Sequence, residues 1–446
     1  MHRPEKLFGF LLTLLLSNLP VWTALFGFSP LAGTVLSFLL SVCFAAMNVF
    51  PIWGRGNFTR LGVMLGGEIL TKINLAAVTA NTALNILWFA RLGALGLTPV
   101  QPVLSVLLAA LCAVILACSG LARMLAASVQ LGIRRRVLLL LLWWIPAVNV
   151  FALWRACRIV REEYLFETEK KALDLARRES GLCATRYPIV LVHGVFFRDQ
   201  KYFNYWGRIP AELVRNGAAV YYGEQQSSGS VASCAEELRE RVEAIVRETG
   251  CGKVNLIAHS KGGLDSRYAL SRLGLAPLTA TLTTINTPHR GCAFVDWLLE
   301  KCPAPVCAAI AKSYNAALRR FGDANPDFMA AVRDLTSSAC GERNRSLPDA
   351  PGVVYRSVGS RMRSSFSAPM PLLLTWRFVR RFDGENDGLV GVESMRWGES
   401  FRMLEPPGKR GVSHGDMIDL NRQNIPGFDV REFYVSLARE LKEQGF

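Results

Sequence analysis

The chain has 446 residues, of which 51% are hydrophobic, and carries 51 Lys and Arg against 36 Asp and Glu, a formal net charge of +15. So basic a chain invites a nucleic-acid reading, but the charge is unevenly placed: +10 of it falls before residue 161, among long apolar stretches, and only +5 on residues 161–446. No basic helix interleaved with aromatics accompanies it, which excludes the usual nucleic-acid signatures and leaves an anionic membrane surface as the better partner.

Residues 7–54 contain no charged side chain, and Pro30-Leu-Ala-Gly33 divides them into two stretches, each able to cross a bilayer core of about 30 Å. Further candidate spans are 73–90, 101–122 and 137–154, the first interrupted by Asn74, Asn81 and Asn85. A cleaved signal peptide does not account for so many apolar segments. They predict an all-α transmembrane region of about five helices over 1–157. With the N-terminus inside, five spans place Arg3, Lys6, Arg55, Arg60, Arg123, Arg134, Arg135 and Arg136 in the cytoplasm and Arg91, Arg155, Arg158 and Arg161 outside. By the positive-inside rule the following domain is then extracytoplasmic; were 73–90 not to span, it would face the cytoplasm. Glu68 and Lys72, one helical turn apart, are expected at an interface, and 158–182, rich in Arg, Glu and Lys, reads as a charged linker helix.

From 183 onward the pattern changes to strands alternating with helices. Tyr187–Val192 is a continuous apolar run, hence a buried strand, ending in His193-Gly194. Ile209–Gly217 reads as a helix, Ala218–Tyr222 as a strand, and Ser233 with Glu236 as the capping box of a helix whose stripe is Leu238, Val242, Ile245 and Val246. A strand into Ser260, a helix over Gly263–Leu273 and a strand over Thr279–Ile285 follow. Residues 293–350 carry helical patterns with Trp297, Ile310, Tyr314 and Phe328 among their apolar positions, before a strand around Val353–Ser357. Such alternation argues for an α/β domain over 183–446, with a parallel sheet covered on both faces.

The chemistry centres on Val254-Asn-Leu-Ile-Ala-His-Ser-Lys-Gly262. A serine in so tight a strand-to-helix turn needs small neighbours, here Ala258 and Gly262, and lies exposed at the top of the sheet with helix amides beside it. The chain has five histidines. His2 precedes the apolar region, His259 is inside the turn, and His193 and His289 sit in short motifs of their own. Only His414 follows Ser260 and the loop carboxylate Asp387 in the order serine, acid, histidine that this topology imposes.

Tyr187-Pro-Ile-Val-Leu-Val-His-Gly-Val195, the serine turn through Tyr268, Asn286-Thr-Pro-His-Arg-Gly291, Asn386-Asp-Gly-Leu-Val390 and His414-Gly-Asp416 together resemble the calcium-dependent secreted triacylglycerol lipases of bacteria. The resemblance covers about 260 residues. It implies an α/β-hydrolase fold, a helical cap at about 293–350, hydrolysis of lipid esters, and Ser260, Asp387 and His414 as the triad. It also implies an oxyanion hole from the backbone amides of Val195 and Lys261. Lys261 stands where the family usually has Gln; its ammonium is expected in solvent. No organic cofactor is implied. Asp416 matches a calcium-ligating position, yet 359–381 lacks the acidic partner that a calcium site requires, so a loop-capping acceptor is the competing role.

Two other functions share these residues: an acyltransferase using the same triad, and an inactive lipid-binding module on a membrane base. Eleven cysteines at irregular spacing form neither a disulfide framework nor a zinc motif, and free thiols suit a reducing compartment, against the outward orientation.

Overall fold

The computed structural model describes residues 3–52, 58–195, 204–320 and 322–446; Arg55, counted above among the cytoplasmic charges, lies outside them. Contacts divide the chain into two units, Met1–Leu173 and Asp174–Phe446.

The first unit is helical. Helices α1 (Arg3–Ser17), α2 (Leu19–Leu25), α3 (Pro30–Val49), α4 (Arg60–Ala90), α5 (Val100–Ala127), α6 (Gly132–Leu141) and α7 (Pro146–Ala176) follow in order. Ser29 and Thr59 cap α3 and α4, accepting from the amides of Ala32 and Gly62. The candidate span 73–90 is the second half of the longer α4. Its asparagines do not break the helix, because Asn81 is buried and accepts from Ser17 Oγ at 2.9 Å and Asn18 Nδ2 at 2.6 Å. Gly67 of α4 and Gly120 of α5 let the two backbones approach: a Cβ on Gly67 would meet the Gly120 carbonyl at 2.8 Å. Glu68 is fully buried, bonded to Lys72 at 2.5 Å and Lys6 at 3.3 Å. Among the described residues, α3, α4 and α5 are long and apolar enough to cross a membrane, and α1 with α2, bent by 68°, makes a fourth if the pair is one span. Residues 137–154 divide between α6 and α7, neither of which qualifies.

The second unit is built on six parallel strands, β1 (Ile189–Val192), β2 (Val220–Tyr222), β3 (Val254–His259), β4 (Thr279–Ile285), β5 (Val354–Ser360) and β6 (Ser400–Leu404), in the order β2-β1-β3-β4-β5-β6. Alternate side chains of β1 point to opposite faces, as pleating requires: Ile189 and Leu191 join one buried cluster, Val190 and Val192 the other. Helices α8 (Ile209–Arg215), α9 (Val231–Thr249) and α10 (Lys261–Arg272) lie between the first four strands in sequence. Ser230, not Ser233, caps α9: its side chain accepts the Ser233 amide at 3.1 Å, which makes Ser233 the third residue of the turn. Four helices, α11 (Ala293–Lys301), α12 (Ala304–Arg320), α13 (Phe328–Arg333) and α14 (Ser337–Ser346), fill the segment between β4 and β5. Helices α15 (Leu372–Asp383), α16 (Val392–Met395) and α17 (Val430–Glu443), together with β6, complete a domain with the α/β-hydrolase fold.

Candidate active site

Parallel sheets expose their functional loops at the carboxyl ends of the strands. Ser260 follows β3 directly, Asp387 lies in the excursion after β5, and His414 in the loop after β6. The serine has φ 55° and ψ −130°, a left-handed conformation that a non-glycine residue holds only where its surroundings enforce it. They do so by crowding. A Cβ on Gly262 would collide with the His193 carbonyl, and one on Gly194 would lie 2.8 Å from Ser260 Cβ. The serine amide is spent on the Ile285 carbonyl at 2.9 Å, tying the turn to β4.

Asp387 and His414 meet twice. His414 Nδ1 lies 2.6 Å from Asp387 Oδ2, and the His414 amide donates to the Asp387 carbonyl at 2.9 Å. The other carboxylate oxygen accepts the amides of Leu389 and Val390 at 2.9 and 2.8 Å. A residue to which the sequence analysis gave no role completes the set. Asn286, at the end of β4 with φ 47°, donates Nδ2 to Asp387 Oδ2 at 2.6 Å and to Ser360 Oγ at 2.7 Å. It stands in the Asn-Thr-Pro motif, and an asparagine ending a buried strand is the signal that could have exposed it. The ring of His414 rests on His259, centroids 4.4 Å apart, which sets it beside the serine turn. Ser260 Oγ makes no hydrogen bond to His414 among the described residues; such bonds are often long until substrate is bound.

His259 is buried, with Nδ1 2.7 Å from the Tyr205 hydroxyl, and its pKa is held well below the usual value by burial and by the neighbouring His414. His193 and His289 are bound within the scaffold, His193 Nε2 to the Gln225 carbonyl at 2.8 Å and His289 Nε2 to Thr284 Oγ1 at 2.9 Å. Val195 follows the His-Gly pair after β1, whose Gly194 crowds Ser260, and Lys261 opens α10, whose first amides have no intrahelical acceptor. Residues 196–203, which follow Val195, lie outside the described set. The Lys261 ammonium is not in solvent. It is buried and paired with Asp265 Oδ1 at 2.7 Å, one turn along α10; burial alone would lower its pKa, but Asp265 and Cys234 outweigh that and raise it.

Asp416 does not suit a calcium ion. Its carboxylate already accepts Arg410 Nη1 and Nη2 at 2.7 and 3.0 Å, and the amide and hydroxyl of Ser413 at 2.9 and 2.7 Å. Calcium takes six to eight oxygen ligands, usually with more than one carboxylate. Here the oxygens face N–H and O–H donors.

A model of the family described as Lipase (class 2) matches residues 186–276. A triacylglycerol lipase of Pseudarthrobacter phenanthrenivorans is 37% identical over 180 residues, 37% of this chain and 56% of that one, so the chain spans about half the length of that relative. Similarity to a triacylglycerol lipase of Vibrio cholerae serotype O1 runs further, 32% identity over 297 residues, 60% of this chain and 92% of that protein. The solved mature lipase BlEst2 of Bacillus licheniformis superposes loosely, with a TM-score of 0.42 and 23% identity over 53% of this chain and 88% of that one.

Proposed function

The chain belongs to the triacylglycerol lipase family, and from that premise we propose that it is a membrane-anchored serine hydrolase cleaving carboxylic esters of lipids. Ser260 Oγ attacks the ester carbonyl while His414 Nε2 takes its proton. Asp387, on Nδ1, fixes the tautomer and balances the imidazolium. The amides of Lys261 and Val195 receive the oxyanion, His414 returns the proton to the leaving alcohol, and water releases the acid from the acyl-enzyme by the same route. The observation that carries this reading is the 2.6 Å contact of His414 with an Asp387 already saturated by Asn286 and two amides. So satisfied a carboxylate has one task left, which is to orient the imidazole.

A lipid substrate is supported by the face of α15. Leu372 and Val379 are buried, whereas Leu374 and Phe378 are 51% and 55% exposed, with Phe366 at 80% just before the helix. Apolar surface of this kind beside a catalytic loop is recognised by acyl chains through buried area. Four spans, rather than five, support a hydrolase on the same side as the N-terminus. They put Arg3, Lys6, Arg55, Arg60, Arg123, Arg134, Arg135 and Arg136 together and leave Arg91 opposite, a stronger bias than five spans give. That side is then the cytoplasm, which agrees with eleven unpaired cysteines.

The test is fluorophosphonate labelling of the full-length protein beside its Ser260→Ala variant. Labelling of the wild type and none of the variant supports the reading. An unlabelled, folded wild type in the presence of detergent would remove it.

A further inference from the structure

The loop that bears His414 is short, polar and pinned at several points, all by residues of this chain. Gly411, with φ 71°, leaves no room for a side chain against the Arg361 carbonyl. The Val412 amide donates to that same carbonyl at 2.8 Å, and the Arg363 amide to the Arg410 carbonyl at 3.1 Å. On its other side this 361–363 segment holds the acid loop, through the Met362 amide and the Asn386 carbonyl at 2.9 Å. The two catalytic loops are therefore stitched to one strip of main chain. Beyond these ties lies the tip, Ser413 to Asp416, which the His414 amide joins to the Asp387 carbonyl at 2.9 Å.

Asp416 locks that tip. It is nearly fully buried, and its Oδ2 accepts both the amide and the hydroxyl of Ser413, the residue preceding His414. A buried carboxylate in that position needs a counter-charge. Arg410 supplies it with a two-pronged contact, Nη1 to Oδ2 and Nη2 to Oδ1, the geometry for which a planar guanidinium is built.

We infer that Arg410 is a resident cation that takes over, at Asp416, the loop-fixing task a calcium ion would otherwise perform, so that His414 is positioned without metal. Arg410 touches neither substrate nor the reacting atoms on this reading; it is a positioning residue acting through Asp416 and Ser413. The inference rests on the proposed serine-hydrolase function for its kinetic arm only.

The experiment uses the full-length protein in detergent, with p-nitrophenyl butyrate as substrate and thermal unfolding as a second reading. Removal of divalent ions with EDTA, and return of millimolar Ca²⁺, is expected to change neither turnover nor the unfolding midpoint, since an ion that binds only the native state would raise that midpoint. Arg410→Ala is expected to lower kcat about ten-fold, the equivalent of one charge-assisted bond, with KM little changed. Arg410→Lys should restore part of the loss, because it returns the charge but not the fork. Guanidinium ion at tens of millimolar should rescue Arg410→Ala and do nothing for wild type. A chelation loss reversed by Ca²⁺ would overturn the inference, as would an Arg410→Ala enzyme with unchanged kcat. If Arg410→Ala does not fold, Arg410→Lys and the chelation arm decide the matter. Should fluorophosphonate leave the wild type unlabelled, the function fails separately, and the calcium response of the unfolding midpoint still judges the inference.

Discussion

Asn286 illustrates how much of the site depends on one hydrogen bond. Its amide occupies the same Asp387 oxygen as His414 does, so it competes for electron density but also prevents the carboxylate from rotating away. The second effect is expected to win, since among the described residues Asn286 is the one side chain besides His414 itself that holds that oxygen. Asn286→Ala should therefore cut kcat about ten-fold, close to the value of one bond to a charged group, while leaving fluorophosphonate labelling detectable. Unchanged turnover would mean that the amides of Leu389 and Val390 suffice. A second residue-scale expectation concerns pH. His259 and His289 are both buried, and burial holds both far below the usual value of 6.5. Below about pH 6.5 the unfolded chain therefore binds protons that the native hydrolase refuses, and stability falls as pH drops, by up to about 1.4 kcal/mol per histidine per unit. The unfolding midpoint should decline between about pH 7 and 5.5, and His289→Gln should flatten the slope if it folds; a level wild-type profile would contradict the assignment.

At the scale of elements, α15 links catalysis to a surface. Thr375 Oγ1 donates to the Gly388 carbonyl at 2.6 Å, next to Asp387, and Leu372 packs on Gly388. At the other end Asp383 accepts the first amides of α11, Ala293 at 2.9 Å and Phe294 at 3.3 Å, where an acidic group suits the helix dipole. One helix therefore holds the Asp387 loop and the start of α11, and turns Leu374, Phe378, Arg377 and Arg381 outward. Replacing Leu374 and Phe378 by Ser should reduce hydrolysis of esters in anionic vesicles several-fold and spare soluble p-nitrophenyl butyrate; equal losses on both would make the face structural. None of this helix was legible beforehand, because an arginine-rich amphipathic stretch shows its period but not what its inner face meets. The signals for α17 were present too: Asp429 at the cap and apolar residues at 430, 433, 434, 437, 438 and 441. The serine turn was readable because its constraints are local, fixed by residues two positions away on either side. Asn286 and Arg410 were not, since their partners lie 101 and 6 positions away and become partners only when loops converge. Lys261 was readable in principle from Asp265 at i+4.

For the whole molecule, the side on which the proposed hydrolase faces turns on one segment. Residues 137–154 looked like a fifth span when judged by composition alone, but the chain breaks the helix between Leu141 and Pro146. On one side of the break stand Arg134, Arg135 and Arg136; around it Trp143, Trp144 and Trp154 are exposed. Arginines and tryptophans gathered about a short helix suit a segment in the headgroup region, which is the placement the proposed topology requires. On the proposed reading, with α1 and α2 as one span, four crossings return the chain to the side on which it began. A fluorescent protein fused after Phe446 should fold and glow, whereas alkaline phosphatase at the same point should stay inactive. A phosphatase fused near Leu95, between α4 and α5, should be active. The opposite pattern at the C-terminus, with the same result at Leu95, would make the 137–154 segment a genuine fifth span, and the free thiols would then have to survive outside a reducing compartment.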